Sequence, residues 1–493
     1  MDKQQRLEVL LAYLKKQTGA TDIKVQQFKQ LTGGAVQENH LLEVELEGGT
    51  MPGPHRWVVR CDAPASLSVS LSRKQEFEVL RTVAAAGVTV PQPYFLCEDT
   101  SVLGSQFYVM AFAPGMAGGR ELAKDQTLSD AERKQLTYNL GQQIARLHKI
   151  RYDPQILPFL SKPTPSPAQQ RIAELQALSA KLSQPQPVLE LGLKLLQQFQ
   201  PAQEPTVLSH GDFRSGNYLV HEGQLSALLD WEFTSWSSPY DDLGWMCCRC
   251  WRFGHPEREA GGVGDKADLY AGYEAESGHA VDDKLVLYYA VLGTLRWLAI
   301  AFEQAQRHLS GQQESLELAL TGRMTAEIQQ DALEQMQQLY QAYTGQTFAV
   351  AEVPVAYEPQ DTAVQDQLNR YYQEQPDATN LLKTARNVLL KEILAELPPS
   401  QTMNALMIAN AMGIAYREIE GSKRHYLQQQ DQLLEAFYAE QQWPRREGVV
   451  AVQQLTEDIK QAAFDDPLLG KVYQILVQLT ALKLQINNPK RLS

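Results

Sequence analysis

Residues 208–232, LSHGDFRSGNYLVHEGQLSALLDWE, gather three oxygen-bearing side chains around a run that is otherwise mostly apolar or small. Asp212 and Asn217 flank a glycine-containing turn, and Asp230 follows the apolar end of the stretch. The segment between them predicts two very short strands joined by a Glu-Gly turn. A tight turn followed by such a hairpin would return Asp230 to the cleft that holds Asp212 and Asn217.

These three residues match the needs of phosphoryl transfer. The reaction requires a carboxylate near the attacking hydroxyl and oxygen ligands that hold Mg²⁺ on the phosphates of the nucleotide. Mg²⁺ takes hard oxygen ligands, usually only one or two of them from protein. We therefore predict Asp212 as the base or orienting carboxylate, and Asn217 and Asp230 as metal ligands. Each residue alone would also fit an ordinary turn or strand end, so the prediction depends on their combination.

The spacing of apolar residues differs between the first part of the chain and the part that surrounds and follows this stretch. Residues 22–112 alternate and predict five strands, DIKVQQFKQL, HLLEVEL, RWVVRC, QPYFLCED and QFYVMAF. SLSRKQEFEVLRTVAAAG has a helical period and places one helix between the third and fourth strands. After Pro114-Gly115 the pattern becomes helical, at 129–149, 166–182, 187–199, 265–275, 283–309 and 313–342. The predicted fold class is α+β, with a β-rich front lobe and a helical back lobe.

A second change in composition separates the C-terminal part of the chain. TGQTFAVAEVPVAYEPQDT has two prolines and no helical period, which is typical of a linker. Amphipathic helical segments follow it. The predicted domains are a front lobe at 1–115, a helical lobe at 116–345, a linker at 346–365 and an all-α domain at 366–493.

The overall composition excludes several classes of protein. The chain has 493 residues, 44% of them hydrophobic, and a formal net charge of −13, which leaves no electrostatic footprint for nucleic acid. No stretch of about 18 uncharged apolar residues occurs, so we expect no membrane span. The N-terminal MDKQQRLEVLLAYLKKQTG is expected to be a packing helix rather than a signal peptide. The five cysteines suit neither a disulfide framework nor a tetrahedral metal site, which favours reduced thiols and a cytoplasmic location.

The motifs resemble those of the aminoglycoside phosphotransferase-like kinases, a branch of the protein-kinase-like fold. The signature of that family is His-Gly-Asp, an Asn five residues after the Asp, and a later Asp-Trp, found here at 210–217 and 230–231. GGAVQEN at 33–39 and WRFG at 251–254 resemble a subgroup that includes kinase-like domains fused to acyl-CoA dehydrogenases. The resemblance covers about residues 20–345. It implies a two-lobed kinase-like fold that uses ATP and Mg²⁺.

The resemblance also implies a nucleotide-binding role for two parts of the front lobe. Gly33 and Gly34 lie where the loop of the family covers the phosphates, and backbone N–H groups can approach phosphate there because no Cβ intervenes. Arg60 stands on the third strand where a kinase carries a phosphate-binding Lys, and Glu76 stands where its helix partner would be. An arginine would bind phosphate through a planar fork instead of a point charge. The alternative is a strand-end arginine and a surface glutamate.

The segment FYVMAFAPG resembles the fifth strand and the hinge between the lobes. Met110 would line the adenine pocket, and the backbone of Ala111 and Ala113 would hydrogen-bond the base. An edge strand entering a loop is compatible with the same residues. The resemblance also implies that Asp242 braces the catalytic loop.

The acceptor side of the cleft is less defined by the sequence. Arg249 and Arg252, in WMCCRCWRFG, could bind a carboxylate or phosphate of the substrate, or could be ordinary arginines on a helix surface. His148, at the end of the helix that backs the catalytic loop, is expected to be structural.

The C-terminal residues, from about 370 to 493, resemble an uncharacterised helical domain that follows kinases of this subgroup. LLKTARNVLL and LMIANAMGIAYREIE are the matching runs, and Asn410 and Arg417 interrupt the small and apolar surface of the second. The domain is expected to form a packed bundle or a contact with a second subunit or partner. The alternative is a lid or substrate-binding role for Asn410 and Arg417.

The predicted function is Mg²⁺-dependent transfer of the ATP γ-phosphate to the hydroxyl of a small molecule. The association of the subgroup with acyl-CoA dehydrogenases implies a hydroxyacyl compound or its CoA thioester as acceptor. An aminoglycoside is a second candidate, although it would require an acidic acceptor pocket and WMCCRCWRFG supplies arginines. A nucleotide-binding pseudokinase scaffold is a third, which Arg60 favours and the complete Asp212, Asn217 and Asp230 set disfavours. The acceptor, the choice between ATP and GTP and the oligomeric state stay open.

Overall fold

The computed structural model of the chain describes residues 3–31, 38–62, 70–349, 351–353, 378–462 and 465–492. The chain folds into two compact units. The first unit comprises Met1–Gln170 and Pro201–Ala290, and the second comprises Arg171–Gln200 and Val291–Ser493. Helices assigned from the sequence to the back lobe, at 171–200 and 291–344, belong to the second unit. The predicted linker lies mostly outside the described residues, and the domain boundaries stay predictions.

The described strands form one large and two small antiparallel sheets. They are β1 (Asp22–Gln30), β2 (Glu38–Glu47), β3 (Gly53–Cys61), β4 (Pro93–Cys97), β5 (Phe107–Ala111), β6 (Val207–Ser209), β7 (Tyr218–His221), β8 (Gln224–Leu228) and β9 (Ser235–Ser237). The large sheet has the order β1-β2-β3-β5-β4, and β6 pairs with β9 and β7 with β8. The five strands predicted for the front lobe and the hairpin predicted within 208–232 are therefore confirmed.

Nine α-helices begin before residue 280 in the described part of the chain. They are α1 (Lys3–Thr18), α2 (Arg73–Ala85), α3 (Thr100–Leu103), α4 (Gly119–Lys124), α5 (Asp130–His148), α6 (Pro167–Lys181), α7 (Pro187–Gln198), α8 (Pro239–Met246) and α9 (Lys266–Ser277). Helix α2 lies between β3 and β4 in the chain, as predicted. The α+β class is confirmed.

Eight further helices follow in the described residues. They are α10 (Asp283–Leu309), α11 (Leu316–Arg323), α12 (Thr325–Thr344), α13 (Ala378–Val388), α14 (Pro399–Arg417), α15 (Lys423–Glu440), α16 (Ala451–Gln461) and α17 (Asp466–Asn487). The single helix predicted at 313–342 is wrong. It divides at Met324, where the Thr325 hydroxyl donates to the Gly322 carbonyl at 3.0 Å.

Strand β3 is buried on both faces of the large sheet, which explains its apolar run RWVVRC. Because successive side chains point to opposite faces, Trp57 and Val59 pack with Leu10 and Leu14 of α1. Val58 instead belongs to the core formed with α2 and the rest of the first unit. Arg60 has the same parity as Val58 and so faces α2.

Helices α5 and α9 approach closely through two glycines. A Cβ on Gly141 would lie 2.1 Å from the Leu269 carbonyl oxygen, and one on Gly272 would lie 1.9 Å from that of Tyr138. Only glycine permits these approaches. The packing brings the end of α5, with His148, to Tyr273.

The second unit is helical. Helix α17 packs against α12 and α15, and the Phe348 ring stacks between Tyr340 and Tyr473 at centroid distances of 4.2 and 4.5 Å. Of the helices in the described ranges, only α10, which crosses from one unit to the other, is long and apolar enough to cross a membrane by length and composition. However, 67% of its most apolar 18 residues are buried inside the protein, as in a core helix.

Candidate active site

The loop between β6 and β7, residues 210–217, is held by the buried carboxylate of Asp242 on α8. Its oxygens accept hydrogen bonds from the backbone N–H groups of His210 at 2.8 Å and Gly211 at 2.9 Å, and from His148 Nε2 at 3.0 Å. Burial raises the pKa of Asp242, but the bonds from His148 and His210 outweigh this effect, so its pKa lies below the ordinary value. Asp242 therefore braces the loop as an anion.

Gly211 is required by the path of this loop. Its φ is +79°, and a Cβ there would lie 2.1 Å from the Phe233 carbonyl oxygen. The next residue, Asp212, donates its backbone N–H to His210 Nδ1 at 3.3 Å, while His210 Nε2 lies 2.9 Å from the Leu229 carbonyl oxygen. These two bonds assign a neutral imidazole with its proton on Nε2. His210 thus ties the loop to the segment that carries Asp230.

The Asp212 carboxylate is surrounded by hydrogen-bond donors. Oδ1 accepts from the Trp245 indole at 2.7 Å, and Oδ2 accepts from Asn217 Nδ2 at 2.6 Å. The Arg214 Nε lies 3.2 Å from both oxygens, and its guanidinium stacks over the Trp251 ring at 4.6 Å. The rotamer of Asp212 is therefore fixed by three side chains, all within the first unit.

Asp230 adjoins this group at the end of the hairpin. The N–H of the preceding Leu229 donates to the Asn217 carbonyl at 2.8 Å. Asp230 has a φ of +67°, a left-handed conformation that Asp tolerates better than most residues. Its Oδ1 accepts a bond of 2.8 Å from Arg60 Nη2.

Arg60 joins the sheet to α2 and to the hairpin. Its Nε and Nη2 reach the two carboxylate oxygens of Glu76 at 3.2 and 2.9 Å, and Nη2 also contacts Asp230. Burial alone would lower the pKa of Arg60, but the facing Glu76 and Asp230 carboxylates raise it well above its ordinary value. The pair predicted between β3 and α2 is thus present in the structure, with arginine in place of lysine.

A second arginine, Arg73, lies behind Glu76. Its side chain is 2% exposed and contacts Glu76 through Nη1, Asp62 at 2.8 Å and Glu232 at 3.9 Å. Burial, and next the nearby Asp230 charge, raise the pKa of Glu232. Asp62, Glu76, Asp230, Glu232, Arg60 and Arg73 form what we call the acidic cluster, four carboxylates with two arginines.

The hinge residues lie where they were predicted, at the end of β5. Met110 is mostly buried and packs in the core of the first unit. The Ala111 N–H donates to the Gln92 carbonyl at 2.8 Å, so a bond from Ala111 to a base would have to use its carbonyl oxygen. Ala113 follows in the loop. Gly33 and Gly34 lie outside the described residues.

The two arginines predicted on the acceptor side have different surroundings. Arg252 is held by the carbonyl oxygens of Pro256 at 2.7 Å and Cys247 at 3.2 Å, and by Glu259 at 3.5 Å. A substrate contact would compete with these bonds. Arg249 begins a 3-10 turn and is half-buried.

Four residues of this region were not predicted from the sequence: Arg73, Arg214, Glu232 and Trp245. Trp245 was visible only as part of the pattern D-L-x-W, three residues after Asp242. Arg73 precedes Glu76 by three residues on α2, the spacing at which helical side chains meet. Arg214 lies only two residues after Asp212, whereas the contact of Glu232 with Arg73 arises from tertiary packing and had no local signal.

The fold and the site define a kinase-like phosphotransferase. The chain belongs to the phosphotransferase enzyme family, whose model matches residues 28–279. A second model, described as a domain of unknown function (DUF6285), matches residues 395–491. The resemblance to the aminoglycoside phosphotransferase-like family and the presence of an uncharacterised C-terminal helical domain are both confirmed.

Curated relatives include two acyl-CoA dehydrogenase family members. Member 10 from Mus musculus is 32% identical over 180 residues, 35% of this chain and 16% of that protein. Member 11 from Homo sapiens is 29% identical over 198 residues, 39% of this chain and 25% of that protein. This chain therefore spans about a sixth to a quarter of the length of these relatives.

Among solved structures, a candidate aminoglycoside phosphotransferase from Ralstonia eutropha has a similar fold. Its TM-score is 0.55 at 22% identity, and the match covers 67% of this chain and 98% of that one. At this level of identity the likeness concerns the fold, and the kinase-like fold is confirmed.

Proposed function

We propose that this protein is an ATP- and Mg²⁺-dependent kinase that phosphorylates a hydroxyl group of a small molecule. The observation that carries the proposal is the arrangement of the Asp212 carboxylate, fixed by Trp245, Arg214 and Asn217 beside the Arg60, Glu76 and Asp230 chain. A base fixed in orientation, next to a buried arginine and an anionic ligand, is what phosphoryl transfer requires.

In the proposed reaction, Asp212 accepts the proton of the acceptor hydroxyl. The hydroxyl oxygen forms a bond to the γ-phosphorus, and the bond from that phosphorus to the bridging oxygen breaks, so that ADP leaves with its electron pair. Trp245 and Arg214 keep the carboxylate in one orientation, which lowers the entropy cost of the proton transfer.

The residues fit a magnesium ion. Asn217 Nδ2 is held on Asp212, which leaves the amide oxygen as the group available to a cation. Asp230 offers a carboxylate whose side chain is 32% exposed. Within the described ranges no group of three His, Cys, Asp or Glu side chains could hold a metal, so phosphate oxygens and water would complete this shell. When bound, Mg²⁺ supplies positive charge to the phosphates.

The front lobe fits a nucleotide. Arg60 is fixed by Glu76 and directed to Asp230, so its guanidinium lies beside the proposed metal ligand. We assign it to the α- and β-phosphates and the Ala111 carbonyl and Ala113 N–H to the base. We also assign Gly33 and Gly34, which lie outside the described residues, to the phosphates.

For the acceptor we propose a hydroxyacyl compound or its CoA thioester. The names of the curated relatives, acyl-CoA dehydrogenase family members, support this class, since both proteins are named for acyl-CoA chemistry. The free cysteines support the proposal of a cytoplasmic enzyme. Aminoglycosides belong in the same assay as competing acceptors.

The test is Asp212→Ala, assayed for transfer from ATP to a panel of hydroxyacyl compounds, their CoA thioesters and aminoglycosides. We expect transfer to fall by about 10²-fold or more, because the general base is lost, while ATP affinity stays within about twofold. Equal turnover by the variant and the wild type would refute the assignment of Asp212. Absence of transfer to any acceptor, with ATP binding intact, would favour a scaffold.

A further inference from the structure

Three arginines from three helices lie close together in the second unit, and none of them takes part in the proposed reaction. Arg323 ends α11, Arg386 lies on α13 and Arg417 ends α14. A Cβ on Gly413 would lie 3.3 Å from Arg386 Nε and 3.4 Å from Arg417 Nη1, so these two guanidinium groups meet above that glycine. We call the three residues the arginine cluster.

Asn487, at the end of α17, joins the third arginine to this pair. Arg323 Nε donates to the Asn487 side-chain oxygen at 2.8 Å, and Arg417 Nη2 donates to its carbonyl oxygen at 3.2 Å. Arg417 Nε also donates to the Ile486 carbonyl. Part of each guanidinium thus has a structural role at a helix end.

These contacts leave some N–H donors of the arginines without a hydrogen bond and most of the positive charge of the cluster unpaired. Arg386 donates through Nε to the Ala409 carbonyl at 3.1 Å, but within the described residues its two Nη groups and Arg417 Nη1 make no hydrogen bond to protein. Glu418 is the single carboxylate among the described residues that pairs with the cluster, at 2.8 Å from Arg323. Burial, and next repulsion from Arg386 and Arg323, lower the pKa of Arg417, as expected where counter-charge is lacking.

We propose that the arginine cluster is a binding site for a phosphate-bearing anion. Guanidinium groups bind phosphate oxygens through paired N–H donors, and the unused donors on Arg386 and Arg417 outnumber the two oxygens of a carboxylate. The absence of a side chain at Gly413 lets the Arg386 and Arg417 guanidinium groups approach each other above its Cα. This site is independent of the proposed kinase reaction.

The test is calorimetric titration of the full-length protein with pyrophosphate, inorganic phosphate and acetate at constant ionic strength. We expect Arg386→Gln to weaken pyrophosphate binding by about tenfold, the usual effect of removing a charged hydrogen bond. Arg424→Gln, an exposed arginine on α15 in the same unit, is the matched control and should leave the affinity unchanged. Gly413→Ala, which keeps all three arginines, should also weaken binding by crowding them.

Three results would overturn the proposal. They are equal pyrophosphate affinity in Arg386→Gln and Arg424→Gln, no binding by the wild type, and acetate binding as tight as that of pyrophosphate. Urea denaturation of Arg386→Gln should show the same cooperative transition as that of the wild type, which shows that the variant is folded. Because the variants differ only in the second unit, the comparison is valid whether or not the first unit proves to be a kinase.

Discussion

Arg60 and Arg73 in the first unit contact four carboxylates, whereas Arg323, Arg386 and Arg417 in the second unit share one. The acidic cluster therefore has excess negative charge and the arginine cluster has excess positive charge. The pKa directions agree with this contrast: that of Glu232 is raised, in part by the neighbouring Asp230, and that of Arg417 is lowered, in part by the neighbouring arginines.

A group of buried or half-buried arginines therefore does not by itself identify the ligand of a site. In the acidic cluster, the arginines position carboxylates, and the charge that is missing is that of a cation. In the arginine cluster, backbone carbonyls hold Arg386 and Arg417 without neutralising them, and Glu418 pairs with Arg323 alone, so the charge that is missing is that of an anion. Removal of a carboxylate should therefore weaken ligand binding at the acidic cluster and strengthen it at the arginine cluster.

The largest effect should come from Arg60→Gln. The change leaves Glu76 and Asp230 without one of their cations in a mostly buried setting, so we expect the free energy of unfolding to fall by about 3 kcal/mol, with loss of ATP affinity. Arg56→Gln on the same strand removes an exposed pair with Glu43 and should cost less than about 1 kcal/mol. Urea denaturation measures both. Equal losses would show that Arg60 has no special role.

A half-buried lysine, Lys483 on α17, extends the comparison. Its Nζ lies 3.1 Å from Gln329 Oε1, and burial lowers its pKa to about 8. Between pH 8 and 10.5 the unfolded chain therefore holds more protons than the folded one, and stability should rise with pH by about 2 kcal/mol. Lys483→Met should abolish this rise.

The measurement for Lys483 is the free energy of unfolding at pH 8 and pH 10, from urea titrations. Lys471→Met, at an exposed position on the same helix, is the control and should keep the wild-type pH dependence. If Lys483→Met keeps the rise as well, another group must cause it.

Trp245→Phe removes one donor from Asp212 and keeps most of the ring. We expect kcat to fall about tenfold with little change in ATP affinity, because one hydrogen bond to the base is lost. Trp236→Phe is the control, since the Trp236 Nε1 is buried and without a hydrogen-bond partner in the described structure. Steady-state kinetics should give a lower kcat for Trp245→Phe than for Trp236→Phe. Similar kcat values for the two variants would contradict an orienting role for Trp245.

The smallest effect should come from Glu418→Gln. Removal of the single paired carboxylate raises the net charge of the arginine cluster, so pyrophosphate affinity should increase about threefold, which is modest because the pair with Arg323 is partly exposed. The same calorimetric titration measures it. A decrease in affinity would contradict the view that the cluster lacks negative charge.

Much of the first unit could be predicted because its signals are local. The short alternating or apolar segments of β2 and β3 are themselves signals of strands, and the Glu222-Gly223 turn, with both residues at positive φ, specifies its own hairpin. That hairpin returns Asp230 to the neighbourhood of Asp212 and Asn217. By contrast, the contact of Trp245 with Asp212 spans 33 residues and depends on how α8 packs.

The second unit shows what sequence pattern cannot provide. Helix α13 is strongly amphipathic, yet its Leu381 and Val388 are exposed by 55% and 36%, so the pattern did not reveal which face packs. The arginine cluster is assembled from three helices, and the predicted helix that contains Arg323 was placed without its break at Met324. Only Arg417 stood out in the sequence, and its partners could not be predicted.

The central claim is that the first unit binds a nucleotide together with Mg²⁺ through Asp230. The most direct measurement is calorimetric titration with ATP, with and without Mg²⁺, for the wild type and Asp230→Asn. We predict that Mg²⁺ raises the ATP affinity of the wild type by about tenfold or more, and that Asp230→Asn loses this dependence. ATP binding that is the same with and without Mg²⁺ in the wild type, or a Mg²⁺ effect that survives in Asp230→Asn, would contradict the account.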